Sequence, residues 1–192
     1  MTCIVAIEEN GIILLGGDSA GIADLDISRR SDEKLFMNDN FIIGFCGSFR
    51  GGQLLRYSFN PPEKSNKKDD MNYLVTDFMD SVRFTFREKG FITKENEQDV
   101  ADLEFIVGYN NKIYIVSEDY QVGIPKENYA SVGCGSQIAL GSLYTTDFLN
   151  KTHGLGLDPK TRIDMALHSA EEYSAGVRGP FVFLSSTINE NI

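Results

Sequence analysis

The stretch TCIVAIEENGIILLGGD, residues 2–18, decides the fold because it predicts a strand, a tight turn and a second strand. Its first six residues are small or apolar, and EENG, residues 8–11, has the composition of a hairpin turn. The second strand, residues 12–18, ends at Asp18. The first residues of most domains are loosely held. Here we expect the sheet to fix Thr2 in one position.

Thr2 follows an initiator Met, and a small residue at this place is where cytosolic removal of that Met is expected. Removal would leave Thr2 with a free α-amine beside its own hydroxyl. Such an amine has an ordinary pKa of about 7.7 to 8.0, so it can accept a proton near neutral pH. One residue can then be nucleophile and base together. We therefore expect the mature protein to begin at Thr2.

The composition is that of one globular domain spanning residues 1–192, with 42% hydrophobic residues. The chain has 18 basic and 28 acidic residues, and its net charge is −10. This charge argues against nucleic acid and anionic membrane surfaces as partners. No apolar run approaches the roughly 18 residues of a membrane span. Three cysteines without a framework spacing, and no secretory signal, predict a reducing, cytoplasmic setting.

The rest of the chain predicts strands, then helices, then strands again, rather than alternating βαβ units. Residues 22–30 alternate apolar and polar side chains. A strand is predicted on each side of Asn38-Asp39-Asn40 and on each side of Asn110-Asn111. A further strand is expected near residues 129–135 and a last one at 180–187. The predicted helices cover residues 49–59, 71–90, 136–149 and 158–176, the last with Asp158 as N-cap and Pro159 as first residue. Two face-to-face sheets with helices outside satisfy this order.

Apolar residues cover more of the helix at 71–90 than one buried face requires: Leu74, Phe78, Val82, Phe84 and Phe86. Phe84 lies outside the stripe formed by the others. We expect Phe84 either to rest on a loop or to contact a second subunit.

Candidate nucleotide-binding and metal-binding motifs lack the residue spacing that such sites require. Residues 133–141, GCGSQIALG, have Ile138 where a dinucleotide loop needs its third glycine, and no phosphate-binding GxxxxGK[ST] loop occurs. The aspartates of residues 18–26 lack the EF-hand spacing, and the two histidines are isolated from cysteines. We expect neither a metal nor an organic cofactor.

One constellation carries chemistry: Thr2, Asp18 and Lys34. A lysine near the Thr2 amine would lower the pKa of that amine by like-charge repulsion and keep it neutral. A carboxylate at the end of the second strand would hold the lysine in place. Taken singly, each of the three residues has an ordinary structural explanation. What points to a site is the resemblance of their spacing to that of a known family.

This spacing resembles that of the proteasome β-subunit family and its relative HslV, the N-terminal nucleophile peptidases. Residues 2–18 look like the family's opening hairpin, with 16 positions from nucleophile to carboxylate, and Lys34 stands 32 positions after Thr2, where the family has its catalytic lysine. FIIGFCGS, residues 41–48, resembles the strand that leads to the oxyanion-hole glycine. The resemblance places that role on Gly47.

The resemblance continues in the second half of the chain. SVGCGSQIALGSLY, residues 131–144, is similar to a glycine-serine-glycine turn and its helix, but Cys134 stands where the family has serine, with Ser136 two positions later. EEYSAG, at 171–176, is similar to a late aspartate-x-tyrosine-serine-glycine segment. Here Glu171 replaces the aspartate and Ser174 matches the serine. All four residues are implied to lie around the nucleophile's amine.

The resemblance implies a four-layer αββα sandwich, in which two antiparallel sheets carry helices on both outer faces. It implies a threonine-type endopeptidase that works without a cofactor, inside a homo-oligomeric ring. Polypeptides would be its substrates, and an ATP-driven unfoldase its partner. Residues 60–103 carry no motif of the family.

Two other functions stay open. An N-terminal nucleophile amidase acting on a small amide would share the chemistry of Thr2 but need no unfoldase. A catalytically silent shell or assembly subunit would keep Met1.

Overall fold

The computed structural model of the chain describes residues 1–23, 26–95 and 98–187. Their strands are β1 (Ile4–Glu9), β2 (Ile12–Asp18), β3 (Ala20–Ala23), β4 (Asp26–Arg29), β5 (Leu35–Asn38), β6 (Phe41–Gly47), β7 (Thr93–Glu95), β8 (Gln98–Val100), β9 (Leu103–Tyr109), β10 (Lys112–Val116), β11 (Val122–Gly123), β12 (Tyr129–Val132) and β13 (Phe181–Ser185). The helices are α1 (Phe49–Tyr57), α2 (Asp70–Tyr73), a π-helical segment (Leu74–Phe78), α3 (Met79–Glu88), α4 (Ser136–His153) and α5 (Pro159–Tyr173). Among the described residues, no helix combines the length and apolar character needed to cross a bilayer.

The first sheet has the strand order β12-β1-β2-β13 and is antiparallel. The predicted hairpin of β1 and β2 is confirmed, with Ile4 opposite Gly17. Asn10 and Gly11 have φ of 53° and 81° at its turn, where left-handed backbone matches the twist of the strands. β1 begins at Ile4 rather than at residue 2, so the predicted start was wrong by two residues. Thr2 is nevertheless fixed, because its carbonyl accepts a hydrogen bond from Gly135 N at 3.4 Å.

The second sheet has the strand order β11-β10-β9-β6-β5 and is also antiparallel. Its two predicted hairpins, β5–β6 and β9–β10, are confirmed. Strands β3 and β4 pair as a separate two-stranded sheet, where the sequence indicated only alternation. Asp24 and Leu25 lie outside the described residues.

Three apolar clusters fix the packing. One lies between the second sheet and helices α1 to α3 and includes Phe41, Phe45 and Phe78. Another lies between the first sheet and helices α4 and α5. The third joins the two sheets through residues such as Ile4 and Ile106. The structure is therefore a mixed α/β fold in which antiparallel sheets pack on each other and on helices.

The predicted long helix at 71–90 contains an irregularity that the sequence did not indicate. Residues Leu74–Phe78 form a π-helical turn between α2 and α3. Phe78, Val82 and Phe86 are buried, whereas Phe84 is 65% exposed. Phe84 thus lies outside the buried stripe, as predicted.

The other helices differ from expectation only at their ends. Helix α5 begins as predicted, with the Asp158 side chain accepting a hydrogen bond from Thr161 N at 3.0 Å and Pro159 in the first turn. It ends at Tyr173 rather than at residue 176. Helix α4 is four residues longer than predicted, and α1 is two residues shorter.

Candidate active site

Five chain segments bring the candidate residues to one end of the two packed sheets. Thr2 lies just before β1, Asp18 is the last residue of β2, and Lys34 directly precedes β5. Gly47 is the last residue of β6, and Cys134 lies in the turn between β12 and α4. Antiparallel pairing of β1 with β2 places the start of one strand beside the end of the other.

Lys34 is the centre of a buried hydrogen-bond group. Its Nζ donates to Thr2 Oγ1 at 2.6 Å, to Asp18 Oδ1 at 3.0 Å and to the Ala20 carbonyl at 2.7 Å. Thr2 is 3% exposed and Lys34 only 1%. An ammonium has three protons to donate, and here each has an acceptor. The arrangement therefore fits a charged lysine whose Nζ is fixed against the hydroxyl of Thr2.

Asp18 ties this lysine to the strand that carries Thr2. The Oδ1 atom that accepts from Lys34 also accepts from Cys3 N at 3.0 Å. Burial lowers the pKa of the Lys34 ammonium and raises the pKa of the Asp18 carboxyl, and the attraction between the two charges opposes both shifts. Each charge therefore depends on the other for its retention in the interior.

The backbone nitrogen of Thr2 faces a different group of residues. Thr2 N donates to Cys134 Sγ at 3.3 Å, and the Cys134 thiol donates back to the Thr2 carbonyl at 3.4 Å. Ser174 Oγ donates to the same sulfur at 3.7 Å. On its other side, Thr2 Oγ1 donates a short hydrogen bond to the carbonyl of Met1. Hydroxyl and nitrogen of Thr2 are thus held by separate partners.

Two glycines next to the site have backbone that favours glycine alone. Gly47 and Gly133 both have φ of +94°. A Cβ on Gly47 would lie 2.6 Å from the Asp102 carbonyl oxygen, and one on Gly133 would lie 2.3 Å from the Thr2 carbonyl oxygen. Both positions therefore exclude a side chain.

Two predicted site residues lie farther from the nucleophile. Glu171 accepts a hydrogen bond from Gly179 N at 3.0 Å and faces Arg178 at 3.9 Å. Ser136 is the first residue of α4, and its backbone N donates to the Gly133 carbonyl at 3.0 Å. Neither side chain forms a hydrogen bond with Thr2 among the described residues. Glu171 has one methylene more than aspartate, and its carboxylate contacts the loop that follows α5 rather than the nitrogen of Thr2.

Sequence reasoning missed two groups beside Lys34. The Ala20 carbonyl is its third acceptor, and the Phe49 ring centre lies 5.7 Å from its Nζ. Phe49 also lines a cavity of about 100 Å³, together with Phe45 and Glu33. A backbone carbonyl cannot be recognised from residue type, and an aromatic side chain at the start of a helix is typical of a core residue.

Within residues 1–23, 26–95 and 98–187, no three His, Cys, Asp or Glu side chains are grouped so as to hold an ion.

Comparison of the sequence with protein-family models and with curated proteins gives no match. The structure, in contrast, is similar to solved structures. BPH from Thiobacillus denitrificans in complex with epoxomicin is 15% identical with a TM-score of 0.76, over 96% of this chain and 97% of that chain. HslV from Trypanosoma brucei is 16% identical with a TM-score of 0.66, over 96% and 98%. Anbu (ancestral β-subunit) from Yersinia bercovieri is 13% identical with a TM-score of 0.60, over 96% and 81%.

These likenesses extend over nearly the whole chain, and they give it the proteasome-like fold of the N-terminal nucleophile hydrolases. The resemblance inferred from the sequence, which runs from Thr2 to about Phe183, is thereby confirmed at the level of the fold. Because the identities lie between 13% and 16%, the comparisons define a fold and leave the activity to be argued from the site.

Proposed function

We propose that the chain is a threonine-type endopeptidase whose nucleophile is Thr2. The observation that carries this proposal is the buried Lys34 Nζ, 2.6 Å from Thr2 Oγ1 and 3.0 Å from Asp18 Oδ1. Removing an ammonium and a carboxylate from water costs several kcal/mol per ion, so structural needs alone rarely place such a pair at a hydroxyl. A nucleophile that must be activated is a sufficient reason.

The proposed reaction is acyl transfer to Thr2. With a free α-amine, Thr2 passes its hydroxyl proton to its own nitrogen while Oγ1 attacks the peptide carbonyl carbon. The nearby positive charge of Lys34 lowers the pKa of the amine and favours the ionised oxygen. The N–H of Gly47 stabilises the oxyanion, and the protonated amine then supplies the leaving group with its proton. Water, activated by the same amine, releases the acyl group.

This reaction requires that Met1 be removed. While the Met1–Thr2 peptide bond is intact, Thr2 N is an amide that cannot accept the proton. The carbonyl of Met1 also accepts a hydrogen bond from the Thr2 hydroxyl. Removal frees both groups of Thr2 at once.

The remaining predicted residues have supporting roles in the proposal. Cys134 and Ser174 orient the nitrogen of Thr2. Ser136 stabilises the turn that carries Cys134, and Glu171 fixes the loop after α5 through Gly179 N. None of these four replaces Thr2, Asp18 or Lys34 in the chemistry.

The proposal includes the assembly implied by the resemblance: a homo-oligomeric, cytoplasmic ring that degrades polypeptides delivered by an ATP-driven unfoldase. An αββα layer order of the subunit is supported by the three apolar clusters. Exposed Phe84, Tyr144 and Phe148, on α3 and α4, offer apolar surface for contacts between subunits.

The test uses untagged protein separated by size, with intact mass measured on each fraction. We expect hydrolysis of unfolded protein by a large oligomer that lacks Met1, and none by Thr2→Ala. Thr2→Ser, which keeps a hydroxyl, is the matched control and should retain part of the activity. Hydrolysis of small amides alone by a monomer would identify the amidase alternative. Retained Met1 without activity would identify the silent subunit.

A further inference from the structure

The Phe49 ring lies beside the buried ammonium of Lys34. The ring centre is 5.7 Å from Lys34 Nζ, within the roughly 6 Å over which an aromatic ring attracts a cation. The three protons of this ammonium already have acceptors on Thr2, Asp18 and Ala20. The ring therefore adds no hydrogen bond, and what it contributes to Lys34 is attraction and cover.

The same ring also borders open space. Phe49 lines the cavity of about 100 Å³ between the loop before β5 and helix α1, whereas Lys34 does not line it. A cavity of this size has room for several water molecules. Lys34 is nevertheless only 1% exposed. Removal of the ring would bring the water of the cavity to the ammonium.

Two partners fix the position of the ring. The guanidinium carbon of Arg30 lies 4.0 Å from the ring centre, and the Phe45 ring lies at 5.8 Å and nearly perpendicular to it. Arg30 is itself held by Asp32, through hydrogen bonds of 2.7 and 2.5 Å. Phe49, at the start of α1, is thus tied to the residues that follow β4. With both partners in place, the ring keeps one orientation beside Lys34.

We propose that Phe49 is a positioning residue that keeps water away from Lys34, so that the charge of Lys34 acts undiluted on Thr2. This inference rests on the proposed function of Thr2. In a site without water the attraction and repulsion between charges are strong, whereas water beside the ammonium would screen them. In this role Phe49 acts only through Lys34.

Water at Lys34 would move two pKa values in the same direction. Burial lowers the pKa of the Lys34 ammonium, so access of water raises this pKa toward its ordinary value. The alkaline limb of the pH–rate profile, where Lys34 loses its proton, then moves to higher pH. A screened Lys34 charge also lowers the pKa of the Thr2 amine less, so the acid limb moves to higher pH as well.

A substitution at Phe49 leaves the other titratable and charged groups around Lys34 unchanged. These groups are Asp18 on β2, Cys46 on β6, Cys134 after β12, the neighbouring Glu33, and Arg30 with its partner Asp32. A shift of both limbs therefore reports the access of water rather than the loss of a charge.

The experiment compares Phe49→Ala with Phe49→Leu in untagged, full-length protein. Alanine opens a path from the cavity to Lys34, whereas leucine keeps most of the volume and loses only the aromatic ring. Phe91→Ala is the matched control, because Phe91 is partly buried in the same apolar cluster but contacts the Phe86 ring, at 5.0 Å. Light scattering checks that the oligomer is unchanged in each variant.

Two readouts are taken over a pH series. Hydrolysis of unfolded casein gives kcat and KM separately. NMR of protein that carries carbon-13-labelled lysine follows the titration of Lys34 itself, and the Lys34 signal is assigned by its loss in Lys34→Arg. The NMR readout does not depend on activity.

We expect Phe49→Ala to move both limbs to higher pH by about one unit and to lower kcat near neutral pH by about tenfold, with little change in KM. The NMR midpoint of Lys34 should rise in the same variant. Phe49→Leu and Phe91→Ala should keep the limbs and the midpoint of the wild type. If Phe49→Ala does not fold, Phe49→Val removes less of the side chain and should give a smaller shift in the same direction.

A change in KM alone would show that Phe49 contacts the substrate, and it would overturn the inference. Limbs or an NMR midpoint that stay in place or move to lower pH would also overturn it, as would equal shifts in Phe49→Leu. If even the wild type does not hydrolyse casein, the proposed function of Thr2 is rejected, and the positioning role with it. The NMR midpoint would then still decide whether Phe49 keeps water from Lys34.

Discussion

The two sides of Thr2 are built differently. On the hydroxyl side, Lys34 and Asp18 are buried, and the three hydrogen bonds of Lys34 measure 2.6, 2.7 and 3.0 Å. On the nitrogen side, Cys134 is exposed, and its contacts with Thr2 and Ser174 measure 3.3 to 3.7 Å. The same residue therefore has buried, charged partners at its oxygen and the weak hydrogen bonds of a thiol at its nitrogen. Substitutions on the hydroxyl side should accordingly cost more activity than those on the nitrogen side.

The largest effect is expected for Lys34→Ala. Without the ammonium, the Thr2 amine keeps its proton to higher pH, and the hydroxyl loses a charged partner, so kcat/KM should fall by about a hundredfold to ten-thousandfold. Lys34→Arg should not restore activity, because a planar guanidinium does not replace a compact ammonium in a buried site. Light scattering checks that the oligomer is unchanged. Near-normal turnover in Lys34→Ala would remove the hydroxyl side from the chemistry.

Asp18→Asn should have the next largest effect, about a hundredfold in kcat/KM, because it removes the charge that supports the Lys34 ammonium in the interior. Asn keeps an acceptor for Cys3 N. The pKa of Lys34 is already lowered by burial, and loss of the Asp18 charge lowers it further. A lower pKa means that Lys34 loses its proton earlier as the pH rises. The alkaline limb of the pH–rate profile should therefore move to lower pH, and a limb that stays or moves upward would argue against this role.

The nitrogen side is probed by Cys134→Ala beside Cys134→Ser. A hydrogen bond contributes about 1 kcal/mol. Cys134→Ala removes the hydrogen bonds of the thiol with Thr2 and Ser174, so it should lower kcat by about fivefold to tenfold. Cys134→Ser keeps a group that accepts and donates, and its kcat should exceed that of Cys134→Ala. If Cys134→Ala costs as much as Lys34→Ala, the contrast between the two sides is wrong.

The smallest effect is expected for Glu171→Gln. Glu171 binds the loop after α5 and forms only a long, partly exposed ion pair with Arg178. Pairs of this kind contribute less than about 1 kcal/mol, so kcat/KM should change by less than about fivefold. A loss of several orders of magnitude would show that Glu171 acts on the amine itself.

Part of the hydroxyl side could be predicted from local structure, because Thr2 and Asp18 belong to one hairpin. A hairpin fixes which residues face each other, so the 16 positions between Thr2 and Asp18 bring the end of β2 beside the start of β1. Lys34 reaches them from the other sheet, because it directly precedes β5. Hairpin spacing therefore brings Thr2 and Asp18 together, whereas the place of Lys34, 32 positions after Thr2, came from the family resemblance.

The nitrogen side could be placed only by resemblance, because Cys134 is separated from Thr2 by 132 positions. Its contact depends on how β12 pairs with β1 and on the path of the loop after α5. The same limit applies elsewhere: Arg162 lies in a polar stretch but is fully buried, with Asp147 at 3.3 Å from the neighbouring helix α4. A contact between the side chains of two helices leaves no local pattern in the sequence.

In the proposed function, Lys34 and Asp18 prepare Thr2 as an N-terminal nucleophile. The most direct measurement is adduct mapping by mass spectrometry after untagged protein is incubated with epoxomicin, the compound bound to the Thiobacillus protein. We expect one adduct on Thr2, in chains that lack Met1, and greatly reduced labelling in Lys34→Ala. Active protein that retains Met1, or an adduct on another residue while Thr2 stays free, would contradict it.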